Sequence, residues 1–240
     1  MLIKILSGKY QQKISSYLDN KVQENKEVKF ISIEGVIGAG KTSLAKKIVE
    51  RLDGRLILEQ FDTNPFLEKF YVDRKRYAFQ TQMFFLINRF KQQQELVQED
   101  LFSEYIICDY IFEKDRIFAY LNLSKDELSL YESIYPLLAR TLRKPDLVVF
   151  LQSSVDRLMY NIKSRNRKVE RALTKNYIEE LNEAYNHFFF RYNTTPLLIV
   201  NSSEIDFVNN EEDFDVLFKQ IFREDRGVIE YFKPESRKEP

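Results

Sequence analysis

Short apolar runs alternate along this chain with longer segments in which apolar residues recur every three or four positions. The runs VKFISIE (28–34), RLILE (55–59), YIICD (105–109), DLVVFL (146–151) and PLLIV (196–200) read as buried strands. Between them, amphipathic spacing predicts helices over about 75–101, 125–142, 155–164 and 174–190. Strands separated by helices imply βαβ units, hence an α/β fold in three layers, with a five-stranded parallel sheet flanked by helices. Residues 27–225 read as one domain, 1–26 as a lysine-rich extension with a helix over 10–23, and 226–240 as a charged, proline-broken tail.

Sheets of this kind bind ligands beyond the carboxyl ends of their strands. The first run passes there into IEGVIGAGKTSL, where Gly35, Gly38, Ala39, Gly40, Lys41, Thr42 and Ser43 carry a G-x-x-x-x-G-K-T pattern between a strand and a helix. Glycines let successive backbone N–H groups curl around phosphate oxygens. Lys41 then reaches the outer phosphates and the Thr42 hydroxyl binds Mg²⁺.

Other strand ends add acid groups. Glu59 closes the second run, where a phosphoryl-transfer enzyme needs a base to aim the attacking hydroxyl. Asp109 closes the third and suits Mg²⁺ as a hard oxygen ligand. The segment KSRNRKVER brings Arg165, Arg167, Lys168 and Arg171 together after a helix, with Glu170 among them, and reads as a lid that neutralises phosphate charge. Gln82 and Arg89, two helical turns apart in QTQMFFLINRF, share one face of an aromatic helix and suit the hydrogen-bonding edge of a base.

Bulk properties narrow the setting. A formal net charge of zero removes the footprint of a general nucleic-acid binder. No window approaches a membrane span, and the start lacks the pattern of a secretory signal, so no membrane partner and a cytoplasmic location are expected. The single cysteine, Cys108, sits in an apolar run and reads as a packed core thiol.

Taken in order, IEGVIGAGKTSL, Glu59 with NPFLEKFY, YAFQTQMFFLINRFKQQ, CDYIFEKDRIFA and RNRKVERALTKNYIEELNEAY resemble the deoxynucleoside kinases of the phosphate-loop superfamily, and the bacterial purine kinases most of all. The resemblance implies a phosphate-loop kinase fold with an arginine-rich lid, ATP and Mg²⁺ as cofactors, a deoxynucleoside substrate and a homodimer. It implies that Glu59 is the base acting on the 5′-hydroxyl, and that Tyr71 and Glu170 hold the sugar 3′-hydroxyl. Gln82, Arg89 and Asp115 then read the base, while Arg165, Arg167 and Arg171 close over ATP with Lys41 below.

One departure stands out. Many family members carry an acidic residue, Arg and Ser where this chain has Asp109, Tyr110 and Ile111, so the arginine must be replaced, with Arg116 and the lid as candidates. A monophosphate kinase would share loop, sheet and lid but need extra basic residues at the acceptor, for which Arg74, Lys75 and Arg76 are available. A nucleotide-dependent switch would leave Tyr71, Gln82, Arg89 and Glu170 without a task.

Overall fold

The computed structural model describes residues 28–99 and 104–234, so the helix expected over 10–23 lies outside the described residues. The elements run β1 (Phe30–Gly35), α1 (Lys41–Leu52), β2 (Arg55–Ile57), α2 (Leu67–Val72), α3 (Arg74–Glu99), β3 (Ile106–Cys108) and α4 (Lys114–Asn122). They continue through α5 (Lys125–Ala139), β4 (Leu147–Gln152), α6 (Val155–Arg165), α7 (Lys175–Phe190), β5 (Leu197–Asn201), α8 (Glu211–Ile221) and β6 (Ile229–Phe232). Short 3₁₀ turns occupy Phe61–Thr63 and Lys168–Glu170.

The strands form one sheet in the order β2-β3-β1-β4-β5-β6, and every pairing is parallel. The sheet has six strands where five were expected. The sixth lies in the segment read as a tail and pairs only with β5. As an edge strand it leaves Ile229 and Tyr231 exposed, so it has no buried run to announce it.

The central strands are apolar on both faces because helices cover both. Ile31 and Ile33 of β1, Val148 to Leu151 of β4 and Leu198 of β5 are fully or almost fully buried. Leu44, Ala45 and Ile48 of α1 pack into the same core, as do Ile178, Leu181, Tyr185 and Phe189 of α7. Phe150 and Phe189 stack with ring centroids 4.1 Å apart, which locks α7 onto β4. Each such side chain contributes about 1.5–3 kcal/mol by leaving water, and together they fix the frame on which the strand ends converge.

Helix starts follow local chemistry. Ser124 and Glu127 make a reciprocal capping box at α5, while Ser154, Thr174 and Asn210 cap α6, α7 and α8 with their side chains. Helix α1 differs, since Gly40 precedes it with no side-chain cap. No helix among the described residues is long and apolar enough to cross a membrane.

Candidate active site

The phosphate loop bends tightly between β1 and α1. Gly38 and Gly40 hold φ of 92° and 93°, a region that disfavours any side chain. Contacts enforce the choice as well: a Cβ on Gly38 would lie 2.7 Å from the Leu158 carbonyl oxygen, and one on Gly40 2.9 Å from the Phe207 ring. The loop therefore ends at a helix N-terminus free of a side-chain cap, a geometry that receives anions. Gly38, Ala39, Gly40 and Ser43 line one cavity with Arg157, Asn161 and Arg165. Lys41 and Thr42 face a second, adjoining one. Lys41 Nζ donates to the carbonyls of Gly35 at 2.8 Å and Val36 at 3.2 Å.

Asp109, just past β3, ties the segment after β2 to the start of α1. Its Oδ2 accepts from Thr42 Oγ1 at 2.6 Å, and its Oδ1 accepts from the Glu59 backbone N–H at 2.7 Å. Strand β2 ends at Ile57, so Glu59 stands two residues beyond the strand and takes its position from this bond. A hydroxyl and a carboxylate oxygen at this spacing form a hard donor pair that suits Mg²⁺ when phosphate oxygens supply the other ligands. No cluster of three or more acidic, histidine or cysteine side chains among the described residues offers an all-protein metal site.

Glu59 is held by two cations. Arg89 Nε donates to Oε1 at 2.8 Å and Lys114 Nζ donates to Oε2 at 2.9 Å. Burial works to raise the Glu59 pKa, but Lys114 and then Arg89 outweigh it and hold the carboxyl well below the usual carboxylate range. Arg89 also pairs with Asp115, so its guanidinium bridges two carboxylates. Burial alone would lower the Arg89 pKa, whereas Glu59 and Asp115 keep it charged. Removing one partner of such a buried network costs about 3–5 kcal/mol.

The α3 face carrying Gln82 and Arg89 turns inward. Gln82 Nε2 donates to the Asp115 backbone carbonyl at 2.8 Å and to its carboxylate Oδ1, which also accepts from Tyr131 at 2.8 Å. Both acceptors are oxygens, so the amide NH₂ must face them and Gln82 Oε1 is left to meet a ligand. Phe85 packs under the Arg89 guanidinium 4.7 Å away.

The lid closes the far side. Arg165 makes a two-pronged bond to Glu170 at 2.7 and 2.6 Å, and Arg167 lies 3.7 Å from the same carboxylate and over the Phe61 ring. Tyr71 lines the same cavity as Glu59, Gln82, Arg89, Arg165 and Glu170. That cavity measures about 100 Å³, below the roughly 300–1,000 Å³ usual for small-molecule sites.

A model of the deoxynucleoside kinase family matches residues 31–224. The chain belongs to that family. It is 36% identical to deoxyguanosine kinase of Bacillus subtilis over 191 residues, covering 78% of this chain and 92% of the relative. It is 33% identical to deoxyadenosine kinase of Dictyostelium discoideum over 206 residues, covering 82% and 81%. The fold matches deoxyadenosine kinase from M. mycoides with bound dATP at a TM-score of 0.71 and 26% identity, covering 81% of this chain and 98% of that one.

Within this family frame, the structure sorts the residues singled out by sequence. It brings Lys41, Thr42, Glu59, Tyr71, Gln82, Arg89, Asp109, Arg165, Arg167 and Glu170 to one cavity, with Asp115 buried behind Gln82 and Arg89. Arg171 is exposed and lines neither this cavity nor the loop's. Arg116 points away, to Glu132 and Tyr120, and does not replace the missing arginine. Tyr110 is buried with its hydroxyl on Gln92. Arg74 is engaged by Glu180 and Asn122 and so is turned from any acceptor phosphate. Lys114 was missed: its only signal is its place in FEKD, one residue before Asp115.

Proposed function

We propose that this deoxynucleoside kinase transfers the γ-phosphoryl group of ATP to the 5′-hydroxyl of a purine deoxyribonucleoside, with deoxyadenosine or deoxyguanosine preferred. The observation that carries the reading is the position of Glu59, fixed by Asp109 beside Thr42 on one side and by Arg89 beside the base-reading face of α3 on the other. The names of the relatives as deoxyguanosine and deoxyadenosine kinases support the choice of purine.

Glu59 accepts the hydroxyl proton and aims the oxygen at the phosphorus. The loop from Gly35 to Ser43 holds the donor phosphates at the start of α1, and Lys41 leaves the loop carbonyls for the outer phosphates. Arg165 and Arg167 close over them, with Arg171, exposed beside them in the same segment, as the outermost lid cation. Tyr71 and Glu170 take the sugar 3′-hydroxyl, while Gln82 Oε1 and Arg89, backed by Asp115, meet the base. Thr42 and Asp109 would hold Mg²⁺, which when bound neutralises charge on the phosphates. The reading includes a cytoplasmic homodimer with residues 27–225 as its catalytic domain.

Glu59→Gln tests the assignment. Turnover is expected to fall about 10²–10⁴-fold, the range of a lost general base, while the Kd for the deoxynucleoside stays within a few-fold by calorimetry. Near-normal turnover would remove Glu59 from the role. Initial rates across the four deoxynucleosides test the base, with a pyrimidine in the lead counting against the purine assignment.

A further inference from the structure

The chain lacks the arginine expected after Asp109, and the structure shows a second buried cation at Glu59, on the carboxylate oxygen that Arg89 does not use. Lys114, in the first turn of α4, is 3% exposed. Its ammonium lies 2.9 Å from Glu59 Oε2 and 3.9 Å from Glu34 Oε1. Glu34 is itself immobilised, accepting from the backbone N–H groups of Gly35 and Ile111 and from the Tyr185 hydroxyl. A lysine has three donors, and the hydrogen bond to Glu59 uses one of them. The distance to Glu34 is too long for a second bond, so Glu34 contributes charge and leaves the ammonium donors available.

Location decides what those donors can reach. Lys114 lines the same cavity as Lys41, Thr42, Glu59 and Asp109. A hydroxyl that gives its proton to Glu59 must come within hydrogen-bond reach of that carboxylate, and Lys114 already sits at the same distance on one of its two oxygens. The 5′-oxygen and the phosphoryl group that joins it are therefore neighbours of Lys114. The two ammonium groups, Lys41 on the donor side and Lys114 on the acceptor side, also repel across the cavity. An anion between them would relieve that repulsion.

We infer that Lys114 is a catalytic cation of the transfer, holding Glu59 before substrate binds and contacting the migrating phosphoryl group during reaction. The inference rests on the proposed kinase reading. In the step, the 5′-oxygen forms a bond to the γ-phosphorus while the bond from phosphorus to the β,γ-bridging oxygen breaks. ADP departs with that electron pair, and the hydroxyl proton passes to Glu59. The equatorial oxygens of the transferring group carry the negative charge that the freed Lys114 donors meet, beside Lys41 and the lid. Arg116 and the lid cations lack this placement: Arg116 faces Glu132, and Arg165 and Arg167 stand at Glu170.

The experiment compares the full-length enzyme with Lys114→Met and Lys114→Arg, measuring kcat and KM for both substrates, deoxynucleoside Kd by calorimetry and the pH profile of kcat. Lys114→Met should lose about 10²–10³-fold in kcat, the scale of one lost preorganised donor, with nucleoside Kd within about threefold. Its acidic limb should move to higher pH, since Glu59 loses a cation that favours its charged form. Lys114→Arg should recover kcat to within about tenfold of the parent. If Lys114→Met fails to fold, the double variant Glu34→Gln with Lys114→Gln removes a cation and an anion together and should show the same kcat loss. A folded variant that keeps kcat within about fivefold, or whose loss tracks nucleoside Kd, overturns the inference. Failure of the parent to phosphorylate deoxynucleosides would instead overturn the kinase reading.

Discussion

Lys41 carries a charge that its buried surroundings and Lys114 disfavour. Its pKa falls from 10.5 to about 8 through burial and then Lys114, with Glu34, Glu59 and Asp109 only partly offsetting them. The sign follows from the proton count: the unfolded chain binds more protons at this group between pH 8 and 10.5, so its penalty on the fold is full below pH 8 and fades as pH rises. Phosphate oxygens beside Lys41 would restore the pKa. Binding of an ATP analogue is therefore expected to take up about half a proton near pH 8 and progressively less toward pH 7. Calorimetry in buffers of different ionisation enthalpy checks this, and uptake that does not grow with pH would contradict it. The residues legible in sequence were those with a fixed offset from a motif, such as Lys41 and Thr42, or an interruption in an apolar face, such as Gln82 and Arg89. Lys114 had neither mark, because it meets Glu59 only through a chain reversal between β3 and α4 that brings together positions 55 apart.

At the scale of elements, the lid joins α6, its 3₁₀ turn and α7 into one device whose closed pose depends on Glu170. That carboxylate is 7% exposed and already occupied by Arg165. A sugar 3′-hydroxyl would add a bond to a charged acceptor, worth about 1.5–3 kcal/mol. Glu170→Gln should raise KM for 2′-deoxynucleosides about tenfold or more while leaving 2′,3′-dideoxynucleosides nearly unaffected, and an equal loss on both would argue against the contact. Helices with strong amphipathic spacing, α3, α5, α6 and α7, were readable to within a few residues. Helix α8 had a usable signal too: Asn210 and three acids precede Phe214, Leu217 and Ile221. Helices α2 and α4, of 6 and 9 residues, are too short for periodicity to declare and take their form from packing against α3.

At the scale of the whole molecule, the parallel sheet was legible because strands buried on both faces must be written as apolar runs. Its sixth strand escaped because an edge needs no such run. The strand order places the ends of β1, β2 and β3 side by side, and that convergence assembles the site from segments far apart in the chain. The bridging of Glu59 and Asp115 by Arg89, completed by Lys114, has a consequence for the ionic environment of the enzyme. Arg89, Lys114, Glu59 and Asp115 pair with one another and their side chains are at most 16% exposed, so salt in solution screens these contacts little. On the proposed reading the donor side works differently, since the side chains of Arg165 and Arg167 are 32% and 37% exposed and would meet a polyanion. Raising NaCl from about 50 to 500 mM shortens the screening length severalfold, and should raise KM for ATP while leaving KM for the deoxynucleoside within about twofold. The two halves of the cleft thus differ in how far each is electrically insulated from the surrounding electrolyte.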